Sequence, residues 1–449
     1  MPDEGKLVES GSFRVDREAA LAKLAEHQLQ DPTRFLLSWI RAGVARGTKK
    51  ISVELQPSSL DAAFEGAVFS PEELEGVLEG ALAGDAGRKH LATGVLAAFK
   101  FSPRRVEVAS GGPGEARSVA VGLDQTVVPS SATLKRRGTA ISFVAGPKTR
   151  ASALRSALDW VTRDCAACPA PISVFGVEVA KNPLPRLETD KSGGWLAVDD
   201  GGRRAWARPS PGALSRHQAA FSCFGVQAAR LDLDAGLAGV EGMVRDDGLS
   251  LDISQAAVVK NERFEQAAAL LDAAAAKLID KLAPEASQSL SRRWKTIKDG
   301  EKGGGYPHWR EMLEATHGPE PIPDWLGGGN LLSSLFSGGD FRLAREIAWL
   351  RAACLKLVGP EQDAGRPGAA TLWNAPIFIT HDGRLVSLAA VERVRARTGK
   401  VEVRPRLDAN ITALFQSRSH PCATVAEMAR LLQRDAGDLL SDEYAQATC

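Results

Sequence analysis

The stretch HLATGVLAAFKFSPRRVEVASG, residues 90–111, decides the fold of the first part of this chain. In it an apolar segment is followed directly by a strand, RRVEVASG. Two further strands, ARSVAVGL at 116–123 and GTAISFVAG at 138–146, come next. Helical segments precede this run. Helices followed by an antiparallel run of strands predict an α+β two-layer sandwich.

The residues upstream supply the helical layer. Segments 16–28 and 31–46 read as helices, the second with Asp31 at its cap and Pro32 in its first turn. ISVEL at 51–55 alternates like a strand. SPEELEGVLEGAL at 70–82 reads as a helix whose Ser70 and Glu73 form a capping box.

Downstream, the pattern predicts further α and β elements. Up to residue 253 these are a helix at 151–164, a strand at 172–179, a hairpin with long loops at 190–215 and short strands at 219–253. A helix at 261–282, which Pro284 ends, is followed by loops with short helices at 285–340 and by a helix at 341–358. The last elements are a strand pair around 376–391 and 400–405 and a helix at 424–436. No period of 20–50 residues repeats, which argues against a solenoid.

Composition narrows the function classes. A chain of 449 residues predicts two to four domains. Lys plus Arg total 56 and Asp plus Glu total 55, so net charge offers no attraction to nucleic acid or to a membrane surface. No apolar run approaches the roughly 20 residues that cross a bilayer, and no secretory signal is present. We therefore expect a cytoplasmic protein.

The cysteine, histidine and C-terminal aromatic residues give weaker indications of function. Cys165 and Cys168 form a CxxC, but it follows a helical stretch and precedes Pro169, which favours ordinary buried thiols over a redox or metal site. The seven His show no metal-binding spacing. The C-terminal aromatic residues indicate either a small local core or an interaction surface; they are Tyr306, Trp309, Trp325 and Trp373.

The ordered motifs of the first 282 residues resemble the GHKL family of ATPases, and among them the heat-shock protein 90 chaperones. FEGAVFSPEEL at 64–74 is similar to the family's D-x-G-x-G-M-T segment, and 90–111 to its glycine-rich lid segment. GTAISF at 138–143 resembles the opening of the last strand of the nucleotide pocket. Residues 242–282 resemble the chaperone middle-domain pattern of strand, loop and long helix.

The resemblance implies an α+β multidomain protein with three parts. These are a GHKL-type (Bergerat) two-layer α/β sandwich at 1–150, a ribosomal-S5-like α/β middle domain at 151–284, and a C-terminal α+β region of unrecognised type at 285–449. The chaperones dimerise through a C-terminal domain that is not recognised here, so the oligomeric state stays open.

The residues that hydrolyse ATP in this family are missing at the matching positions. Ser38 stands where the family has the glutamate base, and Ala42 where it has the magnesium-binding asparagine. Phe64 replaces the aspartate that accepts the adenine amino group, and Gln255 replaces the arginine that reaches the terminal phosphate.

Some residues of a vestigial nucleotide pocket remain. They are Glu65, Gly66, Gly94, Gly138 and Thr139. Glu65 or Asp61 is an alternative adenine acceptor, whereas the glycines also fit a role in turns and helix packing alone. Val68 replaces the second glycine of the D-x-G-x-G segment.

These losses predict a non-catalytic, heat-shock protein 90-like binding or scaffolding protein with protein partners, no metal and no cofactor. The competing hypothesis is a divergent ATPase that binds ATP or ADP with magnesium. A third is that 285–449 is the active part and the first half only presents it.

Overall fold

A computed structural model describes most of the first 300 residues and part of the remainder. The described residues are 31–165, 168–179, 195–209, 216–252, 255, 257–302, 346–347, 349–350, 353–354, 356–379 and 385–398. The helices predicted at 16–28 and 424–436, and the strand at 400–405, lie outside them.

The chain divides into two compact units. The first comprises Met1–Pro183, Ser222–Ala229 and Arg245–Asn261, and the second comprises Leu184–Phe221, Arg230–Val244 and Glu262–Cys449. The division differs from the three consecutive domains expected from sequence, because each unit is assembled from separated segments. The expected boundary after residue 150 lies inside the first unit.

The first unit is built on an eight-stranded sheet. Its strands are β1 (Lys50–Leu55), β2 (Ser59–Glu65), β3 (Arg105–Gly111), β4 (Arg117–Gly122), β5 (Val127–Pro129), β6 (Gly138–Val144), β7 (Ile172–Val174) and β8 (Val177–Glu178). Their order across the sheet is β5-β4-β3-β6-β2-β1-β7-β8. All recorded pairs are antiparallel except β1 with β7, so the sheet is mixed.

Helices cover one face of this sheet. They are α1 (Phe35–Ala45), α2 (Pro71–Glu75), α3 (Ala86–Ala98) and α4 (Ala151–Asp164). Along β1 and β2, buried residues alternate with more exposed ones. The buried residues join those of the helices in one core, whose largest members include Phe35, Trp39, Phe64 and Phe143. The more exposed residues of β1 and β2 lie on the other face of the sheet.

Local signals account for most of these elements. Asp31 accepts a hydrogen bond from the Thr33 backbone N–H at the start of a 3₁₀ turn that leads into α1. The predicted capping box is present at α2, where Ser70 and Glu73 bond reciprocally. However, α2 ends at Glu75, so the helix predicted to run to residue 82 is shorter, with a separate 3₁₀ turn at Glu79–Leu82.

Two features of the sheet were not expected. Strand β2, SLDAAFE, carries Asp61 and small Ala residues that weaken its strand signal, and pairing with β1 and β6 establishes it. Segment 172–179 is a hairpin of β7 and β8, not one strand. Its turn places Phe175 at φ 53° and Gly176 at φ 75°, which is the left-handed region that a two-residue hairpin requires.

A second sheet has five strands in the order β12-β11-β13-β10-β9. They are β9 (Leu196–Asp200), β10 (Arg203–Pro209), β11 (Arg216–Cys223), β12 (Val226–Asp234) and β13 (Val240–Arg245). The predicted hairpin near 190–215 is present as the antiparallel pair β9–β10. Gly201 and Gly202, at φ 53° and 89°, form its tight turn.

The helix predicted to end at Pro284 continues far beyond it. Helix α5 spans Glu262–Lys302 with Pro284 in its interior, so this prediction was wrong. Leu282, Ala286 and Leu290 are buried on both sides of the proline. Burial of this apolar face outweighs the about 3 kcal/mol that an interior proline costs. The expected domain boundary at 284/285 therefore falls within one helix.

The described part of the C-terminal region adds short elements. Helix α6 (Ala369–Asn374) precedes a short antiparallel pair, β14 (Phe378–Ile379) with β15 (Leu385–Val386), and α7 (Leu388–Thr398) follows. Both strands lie within 376–391, which was expected to form a single strand paired with 400–405, and its last four residues belong to α7. The described residues between 346 and 354 are helical, as predicted. Trp373 is buried and donates from its indole N–H to Asp363. Tyr306, Trp309 and Trp325 lie outside the described residues.

The architecture is thus α+β, with helices packed on large sheets in two units. Within the described part of the chain, no helix combines the length and the apolar character that crossing a membrane requires.

Candidate functional site

The residues singled out from sequence fall into three groups in the first unit. Ser38 and Gln255 meet in a buried polar cluster. Ala42, Phe64 and Gly94 belong to the aromatic core beside it. Glu65, Gly66, Gly138 and Thr139 lie at the ends of β2 and β6.

The polar cluster begins on α1. Ser38 and Arg41 are three residues apart and therefore share one face of the helix. Both are buried, at 0% and 2% exposure. Phe35 and Trp39 of the same helix belong to the hydrophobic core, so the polar pair lies directly beside buried aromatic rings. The helix thus places a hydroxyl and a guanidinium together in the interior.

Gln255 is the acceptor at the centre of the cluster. Ser38 Oγ donates to Gln255 Oε1 at 3.2 Å, and Arg41 Nη1 donates to the same oxygen at 3.0 Å. Gln255 is itself buried and has φ 52°, an unusual left-handed conformation for a glutamine. Ser38 and Gln255, two of the four positions singled out by the family resemblance, are therefore in direct contact, although they are 217 residues apart in sequence.

His90, from α3, completes the cluster. Its side chain also hydrogen-bonds to Gln255, and its ring packs edge-on against Phe224 at 5.5 Å between centroids. Burial, with a further contribution from the Arg41 charge, lowers the pKa of His90 to about 3. The imidazole is neutral at pH 7, and its Nδ1 is buried without a partner among the described residues.

The charge of Arg41 is not balanced by a carboxylate. No ion pair of Arg41 occurs among the described residues, and its Nε has no hydrogen-bond partner there. Burial lowers the pKa of Arg41, yet a guanidinium stays protonated in proteins. The contact with the amide oxygen of Gln255 solvates this charge only in part.

This cluster has no group suited to activate a water molecule. A general base needs a pKa near the working pH, and Ser38 offers only a hydroxyl. Gln255 is an uncharged amide, and His90 already hydrogen-bonds to it. Ser38, Arg41 and His90 all hydrogen-bond to Gln255, while Arg41 Nε and His90 Nδ1 have no partner among the described residues.

The space between α1 and β2 is filled by aromatic rings. Phe64 is 2% exposed, and a Cβ added at Gly43 would lie 2.2 Å from its Cδ1. Helix α1 therefore approaches β2 closely because residue 43 has no side chain. Ala42 is buried in the same core. Neither Phe64 nor Ala42 presents a polar atom from its side chain here.

The ends of β2 and β6 form a packed corner. Glu65 pairs with Gly138 and Phe64 with Thr139 in the strand register. Thr139 Oγ1 donates to the Ala67 carbonyl at 2.8 Å. A Cβ on Gly138 would lie 2.3 Å from the Phe64 carbonyl oxygen.

Glu65 and Gly66 have local partners at this corner. Glu65 accepts from Arg136 at 3.2 Å in an exposed ion pair. Gly66, at φ 87°, donates from its N–H to the Arg137 carbonyl. Asp61, the alternative to Glu65 in the family resemblance, lies on the same face of β2 as Glu65, away from the core, and accepts from Ser59 at 2.8 Å.

Gly94 lies apart from that corner, in the contact between α3 and α1. A Cβ there would lie 2.3 Å from Trp39 Cδ1 and 3.0 Å from the Phe35 carbonyl oxygen. The absence of a side chain lets the two helices approach closely.

Three buried thiols lie in the same unit. They are Cys165, Cys168 and Cys223, all unoxidised. Burial raises the pKa of Cys168 to about 11, that of Cys223 to about 12, and that of Cys165 well above its usual value. All three are protonated at neutral pH, whereas the reactive form of cysteine is the thiolate. Among the described residues no set of three or more His, Cys, Asp or Glu is arranged to hold a metal.

No protein-family model matches the chain, and no curated protein shows significant similarity to it. The assignment of function therefore depends on the residues themselves.

Sequence reasoning missed Arg41 and His90. Arg41 stands three residues after Ser38 in an otherwise apolar helix, LLSWIRAG, and such an isolated charge on a buried helix was a usable signal. His90 had no signal, because only the packing of α3 against α1 brings it to Gln255.

Proposed function

We propose that this protein is a non-catalytic binding or scaffolding protein of heat-shock protein 90-like, GHKL type, in which the ATP-hydrolysing site is lost. The observation that carries the proposal is the hydrogen bond between Ser38 and Gln255, with Arg41 on the same oxygen. At the two positions where the family has its base and its phosphate-binding arginine, these side chains satisfy each other.

The surrounding core supports the same conclusion. Phe64 occupies the adenine-acceptor position with a buried ring, and Ala42 has no metal-binding atom. A fold retains its core when site residues are lost, because stability and chemistry are carried by different positions. The protein would then act through its surface, with other proteins as partners.

Thermal unfolding with and without magnesium-ATP tests the proposal. A nucleotide that binds the native state at 100 times its dissociation constant adds about 2.7 kcal/mol to the free energy of unfolding. We expect no shift of the melting temperature at millimolar nucleotide and no phosphate release above that of a Ser38→Ala control.

A melting shift accompanied by turnover that Ser38→Ala abolishes would establish the competing ATPase. A shift without turnover would indicate a nucleotide sensor. It would equally contradict the expectation that the protein does not bind nucleotide.

A further inference from the structure

We propose that the open face of the eight-stranded sheet binds an arginine side chain of a partner protein. This face carries a groove of about 260 Å³, bounded by β1, β2, β3, β6 and the segment 132–134. The proposal rests on the proposed binding function and names the chemistry of the partner.

The floor of the groove is a row of small residues. The strand register places Ser52 opposite Ala63, Ala63 opposite Ala140, and Ala140 opposite Ala109. Ala63 is exposed in the middle of the sheet. With no side chain longer than a hydroxymethyl group in this row, a ligand can lie flat against the sheet.

The next row along the strands is acidic. Glu54 lies opposite Asp61, Asp61 opposite Ser142, and Ser142 opposite Glu107. Like charges on directly paired positions of a sheet are unfavourable, so the pair Glu54 and Asp61 costs stability unless a cation lies beside it.

The carboxylates are only partly neutralised by the protein. Glu107 accepts from Arg105 at 2.6 Å, an ion pair on the same strand. Asp61 accepts from the hydroxyls of Ser59 and Ser142, and Glu54 accepts weakly from Gln56 at 3.4 Å. Within the described residues neither Glu54 nor Asp61 has a cationic partner.

The wall formed by residues 132–134 is fixed in place from β4. Ser118 Oγ donates to the Ser130 carbonyl at 2.6 Å and accepts from the Ala132 N–H at 3.1 Å. Leu134, half-buried, follows on the same segment and lines the groove. The groove therefore combines an apolar wall and floor with a negative row.

Size and charge together select the occupant. The volume is below the about 300–1,000 Å³ of typical small-molecule pockets, which favours one long side chain over a bulky ligand. An arginine has an apolar stem for the floor of small residues. Its planar guanidinium forms paired hydrogen bonds with carboxylates, which a lysine cannot match.

The test is binding of a fluorescein-labelled extended peptide with arginine at alternate positions, followed by anisotropy on the full-length protein. Replacing arginine by its uncharged isostere citrulline should weaken binding at least tenfold, and lysine should bind less tightly than arginine. Asp61→Asn and Glu54→Gln should each weaken binding about fivefold, an expected loss for a partly exposed charged contact.

Glu75→Gln is the matched control, because it removes one exposed carboxylate on α2, outside the groove. This substitution should change the dissociation constant of the peptide by less than twofold relative to the wild type. Equal weakening by Glu75→Gln and Asp61→Asn, or no effect of either groove variant, would overturn the proposal. Competition by free spermidine at the affinity of the peptide would overturn the assignment to an arginine side chain.

Melting temperatures of Glu54→Gln and Asp61→Asn show whether a loss of binding reflects unfolding. Glu54 is exposed, so its variant keeps the test decisive even if Asp61→Asn is unstable. A magnesium-ATP shift in the same preparations would overturn the proposed function and leave peptide binding intact. Absence of peptide binding would overturn only the proposal that the groove binds an arginine side chain.

Discussion

At the scale of single residues, the cluster of Ser38, Arg41, His90 and Gln255 shows how burial changes chemistry. One amide oxygen accepts from a hydroxyl and a guanidinium, and the neighbouring imidazole is held neutral. Each of these side chains is polar, and all of them are buried. The cluster's hydrogen bonds join α1 and α3 to the loop that carries Gln255.

His90 gives the cluster a measurable pH dependence. Its pKa is about 3 in the native state, against an ordinary value of 6.5. Between these values the unfolded chain binds a proton that the native state does not, so stability falls as pH drops. The expected loss from this residue is up to about 1.4 kcal/mol per pH unit.

The measurement is urea unfolding between pH 7 and pH 4.5 for the wild type and for His90→Gln, which does not titrate. We expect the variant to lose less stability over this range. Parallel pH profiles for the two proteins would contradict the assignment of a depressed pKa to His90.

At the scale of elements, the contact between α1 and α3 depends on Gly94. An alanine there would place its Cβ 2.3 Å from Trp39 Cδ1. Alanine favours a helix by about 1 kcal/mol over glycine, whereas overpacking a core costs about 1–3 kcal/mol. Because Trp39 is fully buried and the Cβ would also lie 3.0 Å from the Phe35 carbonyl oxygen, we expect a net loss of stability.

Gly84→Ala is a control for adding a methyl group without a clash, since a Cβ at Gly84 meets nothing within 4 Å; Gly84 lies outside the helices and gains no helix propensity. Chemical denaturation of both variants provides the comparison. A Gly94→Ala protein about 1 kcal/mol more stable than the wild type, the full helix gain, would show that the two helices separate without cost.

Helix α5 shows why local signals fail at this scale. Pro284 is a strong helix-ending signal, yet the helix continues to Lys302. Ala286 and Leu290, which continue its buried face, lie beyond the proline. The capping box at Ser70 was predictable because its donors and acceptors lie within three residues of each other.

At the scale of the whole molecule, the first unit depends on segments beyond residue 150. Its core includes Leu154, Leu158 and Val161 of α4, and β1 pairs with β7. We therefore expect a fragment of residues 1–150 to be unfolded when expressed alone, because these core positions would be exposed to water.

Circular dichroism and amide proton dispersion of this fragment, compared with the full chain, provide the measurement. A cooperative melting transition in the fragment would contradict the composition of this unit and would favour the consecutive domains predicted from sequence.

The sequence by itself determined the α+β class, most helices and strands of the first unit, and the polarity of the residues at the positions of interest. These depend on hydrophobic periodicity and caps, which act over a few residues. Whether Ser38, Ala42, Phe64 and Gln255 descend from a nucleotide site stays a prediction that rests on the family resemblance.

Only the tertiary structure decided the rest. It brought Gln255 to Ser38 and Arg41, placed His90 beside them, aligned Glu54 with Asp61 across β1 and β2, and carried α5 through Pro284. The physical reason is that these outcomes depend on contacts between residues far apart in the chain. Their free energy comes from burial and pairing, which no local pattern records.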